Sequence, residues 1–265
     1  MDVYGIVGNP VEHSKSPPIH NAAFDAVGLD ATYVTFESEA DAAETVIRGA
    51  EALGVSGMSV TLPLKEEVMP SVTLAESAAN VGAVNTIDFT DDGPVGYNTD
   101  GTGVVRAFEH HDVDLSGVAT VVGAGGAGKA AAFALAGAGM DVRIANRTVG
   151  RAHTLADKVP GGTGHGLDEL PELLPETDVL TNMTSVGMEE DVTPVPADLL
   201  HADLAVLDAI YEPRQTRLLR DTAEAGATTI DGTWMLLYQG VEAFEIWTGV
   251  DAPISAMDEG LRSQL

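Results

Sequence analysis

Two ionisable residues, Lys65 and Asp100, are the candidates for proton transfer in this sequence. Lys65 ends the segment SVTLPLK, in a chain that has 13 Lys and Arg against 41 Asp and Glu. Asp100 lies in the segment NTDG, which is typical of a turn. Burial would favour a neutral lysine that acts as a general base, whereas a nearby carboxylate would favour the charged ammonium. Two interpretations of Lys65, general base and cationic hydrogen-bond donor, therefore stay open.

Hydroxyl and amide side chains accompany these two residues. If the chain stays extended through Pro63, alternation places Ser59, Thr61 and Lys65 on one face and the three aliphatic residues on the other. Asn85 opens a predicted strand in the segment GAVNT. Together these groups suit a ligand with several hydroxyls, although an asparagine alone is equally typical of a turn.

Two serines flank Lys15 at the start of a helix predicted over residues 17–27. Their hydroxyls, beside the free N–H groups of a helix, suit a carboxylate or a polyol. The alternative is ordinary capping, with Ser16 as the N-cap and Pro17 as the first helical residue. The pattern of Ser14 and Ser16 leaves both interpretations open.

A glycine-rich segment, GAGGAG over residues 123–128, follows a predicted strand at 118–122 and precedes a predicted helix at 126–138. Gly123, Gly125 and Gly128 fit G-x-G-x-x-G, which permits a tight turn, close approach of a pyrophosphate and close helix–strand packing. A P-loop would need Ser or Thr where Ala130 stands. A helix start that binds no ligand is the third interpretation. The context favours a dinucleotide site.

The end of the next predicted strand, NRT at 146–148, indicates which dinucleotide binds. NAD sites carry an acidic residue there that holds the ribose hydroxyls. Arg147 can instead bind a 2′-phosphate through two hydrogen bonds and stack on adenine. The sequence therefore predicts NADP.

The formal net charge of −28 argues against nucleic acid and anionic membranes as partners. Scattered acids and few lysines suggest a surface adapted to high salt, where screening removes self-repulsion. The chain has no cysteine, no apolar run long enough to span a bilayer and no signal-peptide pattern, which together predict a cytoplasmic protein. Its histidines lack ligand spacing, so no metal is expected.

Short strands alternate with helices along the chain, which predicts an α/β protein with right-handed crossovers and a largely parallel sheet. The pattern also predicts a helix over residues 73–80, a loop over residues 161–164 and a long helix over residues 235–247.

These motifs, in this order and at these spacings, resemble the shikimate dehydrogenase family over almost the whole chain. The resemblance rests on NP at 9–10, HSKSP at 13–17, HN at 20–21, VTLPLK at 60–65, GAVNT at 82–86, NTDG at 98–101, the glycine turn, NRT at 146–148 and Gln239. Two positions depart from the family pattern. Ser59 stands where Asn is usual, and Trp234 stands where a second glycine usually follows Gly232.

The resemblance implies a substrate domain, residues 1–101 plus 236–265, and a Rossmann-type, doubly wound NADP domain, residues 102–235. It implies that Lys65 and Asp100 catalyse the interconversion of shikimate and 3-dehydroshikimate. Shikimate contacts are implied for Ser14, Ser16, Thr61, Asn85, Tyr211 and Gln239. NADP contacts are implied for Glu76, Gly123, Ala124, Gly125, Gly126, Ala127, Asn146, Arg147, Thr148, Arg151, Thr184, Ala209 and Gly232.

Three other functions stay open at this point. The chain could instead be a relative that acts on quinate, which carries one more ring hydroxyl than shikimate. A dehydrogenase of folate or amino-acid type would share the cofactor domain but would not need the HSKSP and NTDG segments. A non-catalytic NADP-binding regulator would not need Lys65 and Asp100. The expected partners are shikimate and a second copy of the chain in a homodimer.

Overall fold

The computed structural model describes residues 1–265 and divides into two compact units. The first unit contains Met1–Thr99 and Gln239–Leu265, and the second contains Asp100–Tyr238. The second boundary falls within one long helix, close to the middle of its length.

Twelve strands and ten helices make up the two units. The strands are β1 (Asp2–Gly8), β2 (Ala31–Glu37), β3 (Gly57–Val60), β4 (Thr73–Leu74), β5 (Thr86–Thr90), β6 (Gly93–Tyr97), β7 (Val118–Val122), β8 (Asp141–Ala145), β9 (Thr163–His165), β10 (Val179–Asn182), β11 (Ala205–Asp208) and β12 (Thr228–Ile230). The helices are α1 (Ser16–Val27), α2 (Ala43–Ala52), α3 (Glu76–Val81), α4 (Asp100–His110), α5 (Gly126–Gly137), α6 (Val149–Ala156), α7 (Leu170–Leu173), α8 (Arg217–Glu224), α9 (Gly232–Thr248) and α10 (Ile254–Arg262). None of the helices combines the length and the apolarity that crossing a membrane requires.

The first unit contains a mixed sheet in the order β2-β1-β3-β5-β6-β4. Strand β1 is parallel to β2 and β3, whereas β5 is antiparallel to both β3 and β6. Strand β5 is therefore the exception to the predicted, largely parallel pairing. The reason is local, because a tight turn joins β5 to β6 as a hairpin, and a hairpin makes its two strands antiparallel.

This strand order has a consequence for the polar residues of the first unit. The carboxyl ends of β1, β3 and β6 meet at one edge of the sheet, and the amino end of the antiparallel β5 lies at the same edge. Segments that are far apart in the sequence, those near residues 9, 61, 85 and 98, therefore converge there.

The second unit contains a fully parallel sheet in the order β12-β11-β10-β7-β8-β9. The chain builds one side from β7 to β9, returns beside β7 with β10, and builds the other side to β12. This is the doubly wound, Rossmann-type order, with its switch point between β7 and β10. The predicted fold class is confirmed.

Each unit has its own apolar core. In the first unit, helix α1 packs on β1 through Phe24, whose ring centroid lies 4.9 Å from that of Tyr4 and 5.8 Å from that of Phe244. In the second, β7, β10 and β11 are almost entirely buried, as is usual for central parallel strands covered on both faces. These cores hold the strand ends in place.

Two predicted elements are wrong. The helix predicted from residue 73 begins at Glu76, because Thr73 and Leu74 pair with β6 as the edge strand β4. The loop predicted over residues 161–164 overlaps the edge strand β9, which pairs with β8. A Cβ at Gly164 would collide with the backbone of α6 at His153, so glycine there permits close packing rather than marking a loop.

Candidate functional site

The polar residues of the first unit form what we call the polar edge, made of Thr61, Lys65, Asn85 and Thr99 at one edge of the mixed sheet. Asn85 is buried and donates from Nδ2 to Oγ1 of Thr99 at 3.0 Å. Its Oδ1 accepts from the Thr99 N–H at 2.9 Å and from the Thr86 hydroxyl at 3.0 Å. These bonds join the start of β5 to the end of β6 and fix the orientation of the amide.

The segment after β3 does not follow the predicted alternation. The strand ends at Val60, and the chain then turns, with the Leu64 N–H donating to the Thr61 carbonyl at 3.0 Å. Leu62 is therefore 71% exposed, whereas Val60 and Leu64 are buried. The prediction of one aliphatic face is wrong because the chain does not stay extended through this segment.

The turn places the backbone of Lys65 next to the segment that carries Asn85, just before β5. The Lys65 carbonyl accepts from the Val84 N–H at 2.8 Å. The Thr61 N–H donates to the Val7 carbonyl at 2.9 Å, and a Cβ at Gly8 would collide with the Thr61 methyl group. Thr61 and Lys65 are thus both fixed against neighbouring strands.

Asn98 and Asp100 have different surroundings. Asn98 is buried, donating from Nδ2 to the Ala83 carbonyl at 3.0 Å and from its N–H to the Ser77 hydroxyl at 3.1 Å, so it ties the end of β6 to α3 and to the segment before β5. Asp100 follows Thr99 directly and is the first residue of α4, not a turn residue as predicted. A carboxylate is favourable at a helix N-terminus.

The two serines near residue 15 are arranged differently from the capping interpretation. Helix α1 begins at Ser16 itself, and its N-cap is Lys15, whose side chain does not cap the helix but donates from Nζ to the Gln264 carbonyl at 3.0 Å. The Ser14 hydroxyl accepts from the Ser16 N–H at 3.2 Å. Ser16 is therefore not the N-cap, and its side chain is buried.

A buried phenol explains the serine at position 59. The Tyr33 hydroxyl donates to Oγ of Ser59 at 2.7 Å. Burial raises the pKa of Tyr33, and its hydrogen bonds to Ser59 and Ser16 act in the opposite direction. Ser59 is thus held by the protein itself, a role that sequence reasoning missed because its partner lies on β2.

An uncharged histidine supports the same phenol. The His20 ring stacks on Tyr33, with centroids 4.5 Å apart, and lies 5.1 Å from the ring of Trp247. Complete burial lowers the pKa of His20 to about 3, and its Nδ1 has no hydrogen-bond partner. Gln239, also predicted to bind substrate, lies half-buried on the part of α9 that belongs to the first unit.

The second unit carries what we call the glycine edge, the carboxyl edge of its sheet with the turn Gly123–Gly128, Asn146, Thr184, Ala209 and Gly232. Gly123 has a φ of +114°, a conformation that favours glycine. A Cβ at Gly128 would collide with the Gly123 carbonyl oxygen. A Cβ at Gly125 or Gly126 would meet nothing within 4 Å. Two glycines therefore shape the turn, and two leave open space beside it.

This turn fits a dinucleotide pyrophosphate. Helix α5 begins at Gly126, and its N-cap, Gly125, provides no side-chain hydrogen bond. The first N–H groups of a helix lack intrahelical partners and carry partial positive charge, so they bind phosphate well where backbone access is open. The structure of the turn supports the dinucleotide interpretation over a helix start without a ligand.

The next strand end orients the predicted 2′-phosphate contacts. Asn146 follows β8, accepts from the Ala124 N–H at 3.3 Å and donates to the Thr148 carbonyl at 2.9 Å. This side chain ties the glycine turn to the start of α6. Arg147, Thr148 and Arg151 are exposed around that helix start.

The remaining strand ends bring together the other predicted cofactor residues of this unit. Thr184 follows β10, and its N–H and hydroxyl both donate to Oδ1 of Asn182, at 3.1 and 2.7 Å. A Cβ at Gly232 would collide with the Ala209 carbonyl, so the start of α9 lies against the end of β11. Tyr211, two residues beyond Ala209, is partly exposed, and burial of its phenol raises its pKa.

Two predicted residues belong to a different unit from the other residues predicted to bind the same ligand. Glu76 is exposed at the start of α3 in the first unit, whereas the other predicted cofactor residues belong to the second. Tyr211 belongs to the second unit, whereas the other predicted substrate contacts belong to the first.

Trp234, the second departure from the family pattern, packs within the second unit. Its ring lies 4.1 Å from that of His110, centroid to centroid. Nδ1 of His110 is 2.8 Å from the Tyr238 hydroxyl, a hydrogen bond between α4 and α9. Trp234 therefore joins two helices, which gives it a packing role.

The fold and the glycine edge together define a Rossmann-type, dinucleotide-binding α/β protein.

Three family models match successive parts of the chain. The shikimate dehydrogenase substrate binding domain matches residues 6–87, the shikimate / quinate 5-dehydrogenase model matches residues 109–205, and the shikimate 5'-dehydrogenase C-terminal domain matches residues 232–262. The chain belongs to the shikimate dehydrogenase family.

Relatives and a solved structure agree with that membership. The chain is 63% identical over 265 residues to a shikimate dehydrogenase (NADP(+)) of Haloarcula marismortui and 64% identical over 265 residues to that of Natronomonas pharaonis, with full coverage of both. A shikimate 5-dehydrogenase from Thermus thermophilus, solved with NADP(H) and shikimate, superposes with a TM-score of 0.92 at 35% identity and full coverage of both chains. The first two organisms are halophilic archaea, in line with the acidic composition.

Proposed function

We propose that this protein is an NADP-dependent oxidoreductase that interconverts shikimate and 3-dehydroshikimate in aromatic amino-acid biosynthesis. The observation that carries this proposal is the pairing, in one chain, of a polar edge rich in hydroxyl and amide groups with a glycine edge open to a pyrophosphate. A substrate with several hydroxyls needs directional donors and acceptors, and the polar edge supplies them from fixed side chains.

The proposed NADP site is the glycine edge. The pyrophosphate is bound by the backbone from Gly123 to Ala127, and the 2′-phosphate by Asn146, Arg147, Thr148 and Arg151. Thr184, Ala209 and Gly232 contact the nicotinamide half, and Glu76 is a further contact. When bound, NADP⁺ supplies the hydride acceptor. The open space at Gly125 and Gly126 supports this assignment, since a backbone without Cβ atoms lets a phosphate approach the helix N-terminus.

The proposed substrate contacts are Ser14, Ser16, Thr61, Asn85, Gln239 and Tyr211. Ser14 and Ser16 precede and begin α1, where hydroxyls and free N–H groups suit the substrate carboxylate. The buried amide of Asn85 cannot exchange its oxygen and nitrogen without losing the hydrogen bond from the Thr99 N–H, which can only donate, so the orientation of the amide is fixed. Ser59 is not among these contacts, and the hydrogen bond from Tyr33 holds its hydroxyl in place.

Lys65 and Asp100 are the proposed catalytic residues. In the oxidation direction the substrate carbon loses a hydride and its hydroxyl loses a proton, giving a ketone. Lys65 exchanges that proton or stabilises the developing charge on oxygen, and Asp100 binds the same hydroxyl and orients it. The Val84–Lys65 backbone hydrogen bond supports this role, because it fixes the main chain from which the lysine extends.

Three further parts of the proposal concern organisation. Residues 1–101 plus 236–265 form the substrate domain, and residues 102–235 form the NADP domain. The protein works in the cytoplasm, and it works as a homodimer. Light scattering in molar KCl should return twice the mass of one 27.4 kDa chain, and a monomer mass would contradict the dimer.

A quinate dehydrogenase is the second candidate, because the model that matches residues 109–205 covers both activities. The test follows NAD(P)H absorbance with shikimate or quinate, each with NADP⁺ or NAD⁺, in molar KCl to screen the acidic surface. The proposal expects the highest kcat/KM for shikimate with NADP⁺. Faster oxidation of quinate, or no turnover with shikimate, would overturn it.

A further inference from the structure

The second unit holds a buried carboxylate, Asp208, at the end of a central strand. Asp208 is the last residue of β11, and its side chain is completely buried. Its Oδ1 accepts from Nδ2 of Asn182 at 3.0 Å and from the Ile210 N–H at 3.2 Å. Its Oδ2 accepts from the Thr216 hydroxyl at 2.7 Å. Three donors thus converge on one carboxylate between the ends of β10 and β11.

The side-chain amide of Asn182 connects Asp208 to the loop after β10. Its Oδ1 accepts both the N–H and the hydroxyl of Thr184, and its Nδ2 donates to Asp208 and, at 3.3 Å, to the Val186 carbonyl. The Thr184 hydroxyl also accepts from the Val186 N–H at 3.1 Å. Because both sides of the amide are used, Asn182 cannot turn over without losing Thr184 or Asp208.

Stability alone is a poor explanation for an acid at this position. A buried carboxylate is costly unless all its oxygens are paired, and an apolar side chain could fill the same volume. Burial raises the pKa of Asp208, whereas its three hydrogen bonds favour the charged form. All three partners donate here, so an acceptor-only carboxylate is the group that fits them all.

We propose that Asp208 is a positioning residue for the nicotinamide half of the cofactor site. Through Asn182 it sets the loop that carries Thr184, and through Ile210 it sets the segment between Ala209 and Tyr211. The inference rests on the proposed function, in which these two loops contact NADP. It predicts that Asp208 controls cofactor affinity and has little influence on shikimate affinity.

Two substitutions of Asp208 separate positioning from general stability. Asp208→Ala removes the acceptor of three donors. In Asp208→Asn the amide oxygen keeps Asn182 and Ile210, and the amide nitrogen donates to Thr216, whose hydroxyl can also accept. The matched control is Asp221→Ala, a buried acid on α8 of the same unit whose partner is Arg217 at 2.7 Å and which contacts neither loop.

The measurements are calorimetric Kd values for NADP⁺ on each full-length variant, the KM values for NADP⁺ and shikimate, and the Tm, all in molar KCl. We expect Asp208→Ala to raise the Kd and KM for NADP⁺ about tenfold, which is the effect of losing one to two hydrogen bonds. The KM for shikimate should stay within about twofold, and Asp208→Asn should restore the Kd to within about threefold of the parent value. Asp221→Ala should lower the Tm and leave the NADP⁺ Kd unchanged.

An unchanged NADP⁺ Kd in Asp208→Ala, or equal rises in both KM values, would overturn the inference. If Asp208→Ala does not fold, Asn182→Ala cuts the same connection one step later and must give the same selective loss. If the parent protein binds NADP⁺ but does not oxidise shikimate, the proposed function fails, while the calorimetric comparison still decides the role of Asp208.

Discussion

The two sheet edges of this molecule are built in opposite ways. At the polar edge, side chains hold one another, as Asn85 holds Thr99 through two hydrogen bonds. At the glycine edge, the absence of side chains at Gly125 and Gly126 leaves the backbone open. A ring with several hydroxyls must be read by direction, whereas a pyrophosphate needs space and unpaired N–H groups.

The two edges should therefore tolerate different kinds of substitution. The polar edge should tolerate changes that keep shape and alter one polar atom, and these should change reaction or specificity while the fold survives. The glycine edge should tolerate almost no added volume where glycines touch the backbone.

Removing the amino group of Lys65 tests the chemistry of the polar edge. Lys65→Ala should lower kcat by ~10²–10⁴-fold, the usual contribution of a general acid or base, with a smaller change in shikimate Kd. Lys158→Ala, on an exposed lysine, is the control and should be neutral. Stopped-flow or steady-state kinetics in molar KCl measures both, and near-parental turnover in Lys65→Ala would remove this residue from the mechanism.

Adding one methyl group at either of two glycines tests the shape of the glycine edge. Gly128→Ala should lower the free energy of unfolding by about 1–3 kcal/mol, because the new Cβ collides with the Gly123 carbonyl. Gly126→Ala should keep the fold and weaken NADP⁺ binding, since its Cβ enters open space beside the turn. Denaturant unfolding and calorimetry separate the two effects, and equal stability of both variants would contradict the account.

Reversing the charge at Arg147 tests the choice of cofactor. Arg147→Asp should shift the ratio of kcat/KM for NADP⁺ over NAD⁺ by roughly 10–100-fold towards NAD⁺, since a charge-assisted hydrogen bond to phosphate is replaced by repulsion. The kinetics with shikimate as the fixed substrate give this ratio directly. An unchanged ratio would show that the 2′-phosphate is recognised elsewhere.

Buried His20 makes the stability of the first unit depend on pH. Its folded pKa of about 3 lies below the ordinary value of 6.5, so between these values the unfolded chain binds a proton that the folded chain does not. Stability should therefore fall as pH falls, by about 2 kcal/mol from roughly pH 7.5 to pH 5 for this one group. Unfolding of His20→Phe should lack this contribution, while His13→Gln, on an exposed histidine, should keep it.

The glycine edge could be predicted from sequence because its signal is local. Strand, turn and helix follow one another between Val118 and Gly137, and the steric reason for Gly128, its close approach to the Gly123 carbonyl, lies within that stretch. The chemistry of the polar edge could be predicted from residue types, but its geometry could not. The turn after Val60 and the Tyr33–Ser59 hydrogen bond depend on strands distant in sequence.

Asp208 shows why the rest escaped prediction. An aspartate after three apolar residues is typical of a strand end, and nothing local marks it as buried. Its partners Asn182 and Thr216 lie 26 and 8 residues away. Such residues can be found in a sequence only once the strand order is known.

One set of equilibrium titrations tests most directly whether each edge binds only one of the two ligands. Thr61→Val, which keeps the methyl group that packs on Gly8, and Gly125→Ala are each titrated by calorimetry with shikimate and with NADP⁺ in molar KCl. We expect Thr61→Val to lose affinity only for shikimate and Gly125→Ala to lose affinity only for NADP⁺. Either variant losing affinity for the other ligand, or for both equally, would contradict it.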